Sequence, residues 1–247
     1  MRSLASDTGS TGKAVPDISV IVPVLDEAAG IAAALEALAP LRGEGVELIV
    51  VDGGSADATV ELAIPLADRV LAAPRGRARQ MNAGAAIAQG RLLLFLHADT
   101  RLPDDAIHQV ARAVGDVLAG RQWGRFDVRI EGRSIGLKLV STMMNLRSRL
   151  TGIATGDQAI FVSRPAFRAV GGFPDIPLME DIALSKALLR LSRPACLAAR
   201  VTTSGRRWET HGVWRTILCM WWLRLRYFCG ADPHRLALEY GYVPDES

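Results

Sequence analysis

Cysteine is scarce in this 247-residue chain: Cys196, Cys219 and Cys229 are an odd set with no CxxC spacing. That excludes a disulfide framework, and it predicts buried free thiols in a reducing compartment, hence a cytoplasmic protein. Lysine is nearly missing too, standing only at Lys13, Lys138 and Lys186 among 29 basic residues. The basic side of the balance is therefore arginine, which forks onto phosphate or carboxylate, although a compositional bias would look the same. The net charge is only +3, and no basic stripe is interleaved with aromatics, so nucleic acid is not an expected partner. The apolar run TILCMWWL (216–223) is eight residues long, where a membrane span needs about 20. The opening MRSLASDTGSTGKAVPD has no apolar core of the secretory kind, and its Ser, Thr and Gly predict a disordered tail over 1–16.

What is present is a globular composition, 49% hydrophobic and 22% charged, with length enough for one large domain. Short β-branched or leucine-rich runs alternate with helical stretches. Strands are expected at ISVIVPV (18–24), VELIVVD (46–52), DRVLAA (68–73) and RLLLFLHAD (91–99). Helices are expected over 27–41, 55–67, 78–90 and 103–120. This rhythm means βαβ units, so the fold class is α/β, with a mainly parallel Rossmann-type sheet flanked by helices. After residue 120 the pattern loosens. WGRFDVRIEG (123–132) alternates like an exposed antiparallel strand, SIGLKLVSTMMNLRSRL (134–150) reads as a helix, and GDQAIFVS (156–163) as a strand. RPAFRAVGGF (164–173) reads as a turn and MEDIALSKALLRL (179–191) as an amphipathic helix.

Ligands of open α/β sheets bind beyond the carboxyl ends of the strands. Acids fall on three of those ends: Asp26 and Glu27, then Asp52, then Asp99 with His97 two residues before it. A helix cap explains any one of them equally well. Three on one edge point to a cation or to hydrogen-bond donors that offset the repulsion. RGRARQMNAG (75–84) brings Arg75, Arg77 and Arg79 around a helix start, where cations oppose the dipole but suit a diphosphate; Arg79 is the leading candidate for that contact. If the strand stays extended, His97 projects to the same side as Asp99.

VPVLDEA, VDGGSADAT, RGRARQMNAG, FLHADT, GDQAIF and MEDIALS follow one another in this order. Together they resemble the inverting nucleotide-sugar glycosyltransferases of family 2, with the GT-A fold, and most nearly the small bacterial "transferase 2" subgroup. The resemblance implies a catalytic domain over 17–210. It places Pro23, Asp26 and Glu27 at the nucleoside pocket and Asp52 at the base. Asp99 falls on the last acid of the metal-binding DxD, which holds Mn²⁺ or Mg²⁺. Its first position here is His97, a departure that makes the imidazole a tentative second ligand. Asp181 falls on the catalytic base, and Asp157 on the segment shaping the donor-sugar and acceptor pocket. Arg207 and Trp208 in SGRRWETHG (204–212) resemble, incompletely, an R-W element that closes over the diphosphate. His211 is either a third metal ligand or a surface-loop histidine.

The aromatic stretch VWRTILCMWWLRLRYFCG (213–230) lies in a C-terminal segment (211–247) expected to be helical. Arg215 and Arg226 share one side of its wheel and Arg224 lies opposite. Three readings stay open: packing on the catalytic part, peripheral seating at a membrane interface on the inner face of the cell membrane, or a homodimer face. The expected activity is metal-dependent, inverting transfer of a sugar, as in a hexosyltransferase, from a nucleotide-diphospho donor, a UDP-sugar first, to a hydroxyl on a lipid or small molecule. The rivals are a sugar nucleotidyltransferase and a non-catalytic nucleotide-sugar-binding or membrane scaffold protein.

Overall fold

The computed structural model describes residues 17–115 and 120–242. The expected tail over 1–16, residues 116–119 of the helix expected over 103–120, and residues 243–247 of the expected C-terminal segment lie outside the described residues. The first half runs β1 (Ile18–Val24), α1 (Ile31–Glu36), α2 (Ala39–Arg42), β2 (Val46–Asp52), α3 (Thr59–Ala63), β3 (Arg69–Ala72), α4 (Arg77–Ile87), β4 (Leu92–Phe95), β5 (Thr100–Arg101) and α5 (Ala106–Gly115). The second runs β6 (Trp123–Glu131), α6 (Ile135–Thr151), β7 (Phe161–Ser163), α7 (Arg164–Ala169), α8 (Glu180–Leu188), β8 (Ala195–Ser204), α9 (Arg206–His211), α10 (Val213–Phe228) and α11 (Pro233–Glu239).

The strands form one sheet in the order β3-β2-β1-β4-β7-β6-β8-β5. β3, β2, β1 and β4 are parallel. β7 opposes both β4 and β6, β6 and β8 run parallel, and β5 opposes β8. β2 is buried along its whole length because helices cover both faces, which is why its sequence is a continuous apolar run instead of an alternation. Ile31 and Leu35 of α1, Val110 of α5 and Leu137 and Val140 of α6 fill the core on one face. Met81 and Ala85 of α4, Phe167 of α7 and Leu184 of α8 fill the other. Gly84 lets α4 approach the sheet, since a Cβ there would lie 2.5 Å from Ile21 Cγ2.

Several local expectations are corrected. The helix over 27–41 is two short helices, with Pro40 in the first turn of the second, because proline has no N–H to continue the ladder of the first. The 123–132 strand is not exposed or simply antiparallel. It is β6, buried from Trp123 to Val128, antiparallel to β7 and parallel to β8. Its polar alternates are paired internally: fully buried Arg125 donates to Asp127, to Ser148 Oγ (3.0 Å) and to the Asn145 carbonyl (3.2 Å). Gly156–Gln158 is a 3₁₀ turn and only Phe161–Ser163 is strand; the RPAFRA stretch is helical, capped by Ser163. β8 escapes the sequence reading because ACLAAR has no β-branched residue before Val201.

A third cluster ties the C-terminal helices to the body: Leu223 of α10 and Leu236 and Ala237 of α11 pack with Ile153, Met179 and Ile182. The opposite side of α10 stays exposed, with Trp214 at 68% and Leu218 at 65% of full exposure. Among the described residues no helix is long and apolar enough to cross a membrane. The three cysteines are free, but Cys196 and Cys219 are only half-buried and Cys229 is exposed, against the expectation of buried thiols.

Candidate active site

The segments after β1 and β4, the start of α4, the 3₁₀ turn and the start of α8 enclose a cavity of about 740 Å³. Pro23, Glu27, Arg75, Arg77, His97 and Asp99 line it from the parallel half; Asp157, Glu180, Asp181 and Trp208 line it from the second half. Antiparallel β7 makes this convergence possible. It reverses the chain beside β4, so the 3₁₀ turn just before it reaches the same edge as the β4 carboxyl end.

The acid pair is set by local geometry. Met179 caps α8 in a left-handed conformation, φ 70°, an unfavourable state for a side chain with a Cβ. Asp181 follows in the first helical turn. Its Oδ2 accepts the Gly156 N–H at 2.9 Å and its Oδ1 the Ile182 N–H at 2.7 Å. Glu180 beside it is buried. Burial, then the Asp181 charge, push its carboxyl up to about 7, with Arg77 acting against them. Burial disfavours the Arg77 cation, but Glu180, Asp157, Tyr240 and Asp181 more than offset this, so Arg77 holds its proton above the ordinary arginine range.

His97 Nδ1 lies 3.5 Å from Asp157 Oδ1. The other side of the ring rests on Gly156, where a Cβ would come within 2.6 Å of Cε1 and Nε2. Burial would raise the Asp157 carboxyl, yet the His97 contact, with Arg77 and Arg224, brings it below the usual range. Nδ1 is thus engaged by Asp157 and Gly156 packs against the Nε2 edge, while His97 still lines the cavity. Asp99 has the less engaged carboxylate. The hydroxyls of Thr100 and Thr203 reach its Oδ1 only at 3.4 and 3.5 Å, and its Oδ2 accepts nothing among the described residues. A single hard carboxylate suits Mn²⁺ or Mg²⁺ when phosphate oxygens and water complete the shell. Among the described residues no three His, Cys, Asp or Glu side chains gather as a self-sufficient metal site. Glu27, nearby, is raised by burial and by the Asp99 charge, with Arg206 opposing.

The other expected acids serve the loops. Asp52 accepts from the N–H groups of Gly54 (2.9 Å) and Ser55 (3.0 Å) and from the Ser55 hydroxyl (2.5 Å). Asp26, at φ 52°, donates its N–H to Ser55 Oγ (2.9 Å) and accepts from Ala56 N–H (2.8 Å). Neither lines the cavity. Arg79 does not line it either: its Nε donates to Asp175 at 2.9 Å, because one residue pair along α4 turns the side chain away from the face that carries Arg77. The Arg207 and His211 side chains lie outside the described residues.

Among the cleft residues that carried no functional expectation from sequence are Arg147 of α6, Arg224 of α10 and Tyr240 after α11. For Arg224 a signal existed, since it stands alone on the helical wheel while Arg226 pairs with Glu239. For Arg147 there was none, as LRSRL reads like any solvated helix end.

A parallel half with acids at its strand ends, joined by a reversed strand to a mixed half that returns an acid pair to the same cleft, is the plan of a GT-A-type α/β protein. The chain belongs to glycosyl transferase family 2, whose sequence profile matches residues 19–167. It is similar to a PGL/p-HBAD biosynthesis glycosyltransferase of Mycobacterium bovis, 37% identical over 42% of this chain and 43% of that protein. It is also similar to the succinoglycan biosynthesis protein ExoO of Rhizobium meliloti, 32% identical over 49% of this chain and 36% of that one. The matched region thus spans less than half of either relative. Among solved structures, S. aureus TarS 1-349 superposes with a TM-score of 0.62 at 20% identity, covering 76% of this chain and 60% of that one. The mannosyltransferase PcManGT of Pyrobaculum calidifontis, in complex with GDP-Man and Mn²⁺, gives 0.58 at 21% identity, over 77% of this chain and 57% of that one.

Proposed function

We propose that the protein transfers a glycosyl group from a nucleotide-diphospho sugar, a UDP-sugar first among the candidates, to a hydroxyl acceptor with inversion at the anomeric carbon. The observation that carries this reading is Asp181, whose carboxylate is held by two backbone N–H groups in a cavity that it shares with Glu27, Arg77 and Asp99. Asp181 takes the proton of the acceptor hydroxyl while that oxygen bonds to the anomeric carbon. The bond from that carbon to the β-phosphate oxygen breaks, and the nucleoside diphosphate leaves with the electron pair. Arg75 and Arg77 face the departing charge. Asp99 would hold a divalent ion, which when bound draws charge from the diphosphate.

Asp26 and Asp52 support this reading indirectly, by fixing the turns beside the nucleoside, and Asp157 by keeping His97 in place. Trp208 closes one wall. Residues 17–210 act as the catalytic unit in this reading. The test is release of nucleotide from UDP-, GDP- and dTDP-sugars with Mn²⁺ or Mg²⁺, alongside protection of the fold against heat. A donor that stabilises the wild-type protein and turns over is the expected result. No stabilisation by any nucleotide in the presence of metal would reject it.

A further inference from the structure

Among the described residues, the buried side-chain nitrogens that lack a hydrogen-bond partner are Nε of Arg75, Nε and Nη2 of Arg147, and Nε of Arg224. All three arginines line the cleft. Arg75 has the Tyr242 ring against it and belongs to the segment assigned above to the departing diphosphate. Arg147 and Arg224 come from other elements and line the same cavity: burial, then the Arg224 charge, bring Arg147 down to about 10, and Asp181 acts against both. Arg147 does place its Nη1 on the Ile153 carbonyl at 3.3 Å. Two half-buried cations on one cavity wall, with buried donors unused, are unfavourable until an anion joins them.

The sequence spacing says what else the ligand carries. On α6, Leu139, Met143 and Arg147 recur every four residues and form one stripe. On α10, Trp214, Ile217, Trp221 and Arg224 do the same at three and four. Every one of these residues lines the cleft. The two helices meet near their N-termini, where a Cβ on Gly136 would lie 3.1 Å from Val213. Each stripe therefore runs from apolar side chains to an arginine, and the arginine ends share the cavity with Asp181 and Asp157. Leu139, Met143, Trp214 and Trp221 remain about half exposed or more although they line the wall, so the mouth of the cleft is apolar, and inward of it Arg147 and Arg224 stand among the acids that line the same cavity.

We propose that these paired stripes are the acceptor subsite and that the acceptor is an anionic amphiphile. Its phosphate-type group lies on Arg147 and Arg224, its hydrocarbon chain runs outward between α6 and α10, and its hydroxyl meets Asp181. This rests on the glycosyl-transfer reading above and specifies its acceptor.

Decyl phosphate, inorganic phosphate and neutral decyl glycol are the probes, titrated calorimetrically into the full chain below micelle formation. The expected result is that decyl phosphate binds about tenfold or more tightly than either of the others, because only it satisfies both the cations and the apolar wall. The R147Q/R224Q double variant should lose the preference over decyl glycol. Leu139→Ser with Trp221→Ser should lose the preference over inorganic phosphate. Equal binding of decyl phosphate and decyl glycol by the wild-type protein would overturn the anion subsite, and equal binding of decyl phosphate and inorganic phosphate the apolar one; neither comparison needs a variant. UDP titrated into R147Q/R224Q separates the two sites: a loss matching that of decyl phosphate would assign these arginines to the donor and overturn the proposal. Failure of the wild-type protein to bind any nucleotide would instead reject the transfer reading, while the probe comparison still decides whether the amphiphile site exists.

Discussion

The carboxylates at the ends of β1 and β2 and the arginines of α6 and α10 are both polar groups around one cleft, yet they are treated in opposite ways. Asp26, Asp52 and Asp57 spend their oxygens on backbone N–H groups and hydroxyls of their own turn or the facing one. Arg147 and Arg224 keep buried donors unused. The first group fixes loops; the second, in the acceptor proposal above, is completed by the anion of the bound amphiphile. Polar residues that a sequence brings to one edge therefore divide into scaffold and contact, and their hydrogen-bond partners together with whether they line the cavity tell them apart.

The contrast yields predictions of decreasing size. Asp181→Asn should lower turnover by about 10²–10⁴-fold while leaving nucleotide affinity within about twofold, read from steady-state kinetics beside calorimetry. Comparable losses in affinity and turnover would move Asp181 into the scaffold group. Glu180→Gln tests the buried acid through pH. With its carboxyl raised to about 7, the folded state keeps a proton that the unfolded chain releases in the ordinary carboxylate range. The wild type should therefore lose stability relative to the variant as pH rises between those limits, by on the order of 2 kcal/mol, and then level off. Unfolding midpoints of both proteins from about pH 4 to about pH 8 check the sign. Asp52→Ala should remove about 1–2 kcal/mol of stability at neutral pH by leaving the Gly54 and Ser55 N–H groups unpaired, measured by urea unfolding. Arg224→Gln should change stability by less than about 0.5 kcal/mol, or raise it, since it removes a cation from beside Arg147. A larger loss would show that Arg224 is already paired within the fold.

The parallel half was legible because its physics is local: apolar runs buried on both faces, broken by Gly and Asp turns, leave few alternatives. The acids after β1, β2 and β4 were located for the same reason, and so was the ED pair at the start of α8. What each acid does was not legible. Asp52 and Asp99 stand at the ends of β2 and β4, the strands on either side of β1, and only the turn geometry shows that one is saturated by its own loop while the other keeps an oxygen without a partner among the described residues. The choice between Arg77 and Arg79 likewise depended on the angle at which α4 meets the sheet. β6 misled because alternation reports a polar side, and Arg125, Asp127 and Arg149 supply that polarity to one another instead of to water.

The sequence by itself determined the α/β alternation, the edge of the sheet that carries the chemistry, and a family membership written in ordered short motifs. Each of these rests on periodicity or turn chemistry within a few residues. Only the tertiary structure decided which charges meet. The reversal at β7 brings Asp157 and Asp181 to the cavity that His97 lines, and the packing of α10 and α11 on the start of α8 brings Arg224 into the same cleft as Arg147. Those contacts join residues dozens of positions apart, and side-chain pairing at that range depends on how whole elements pack, which no local pattern encodes.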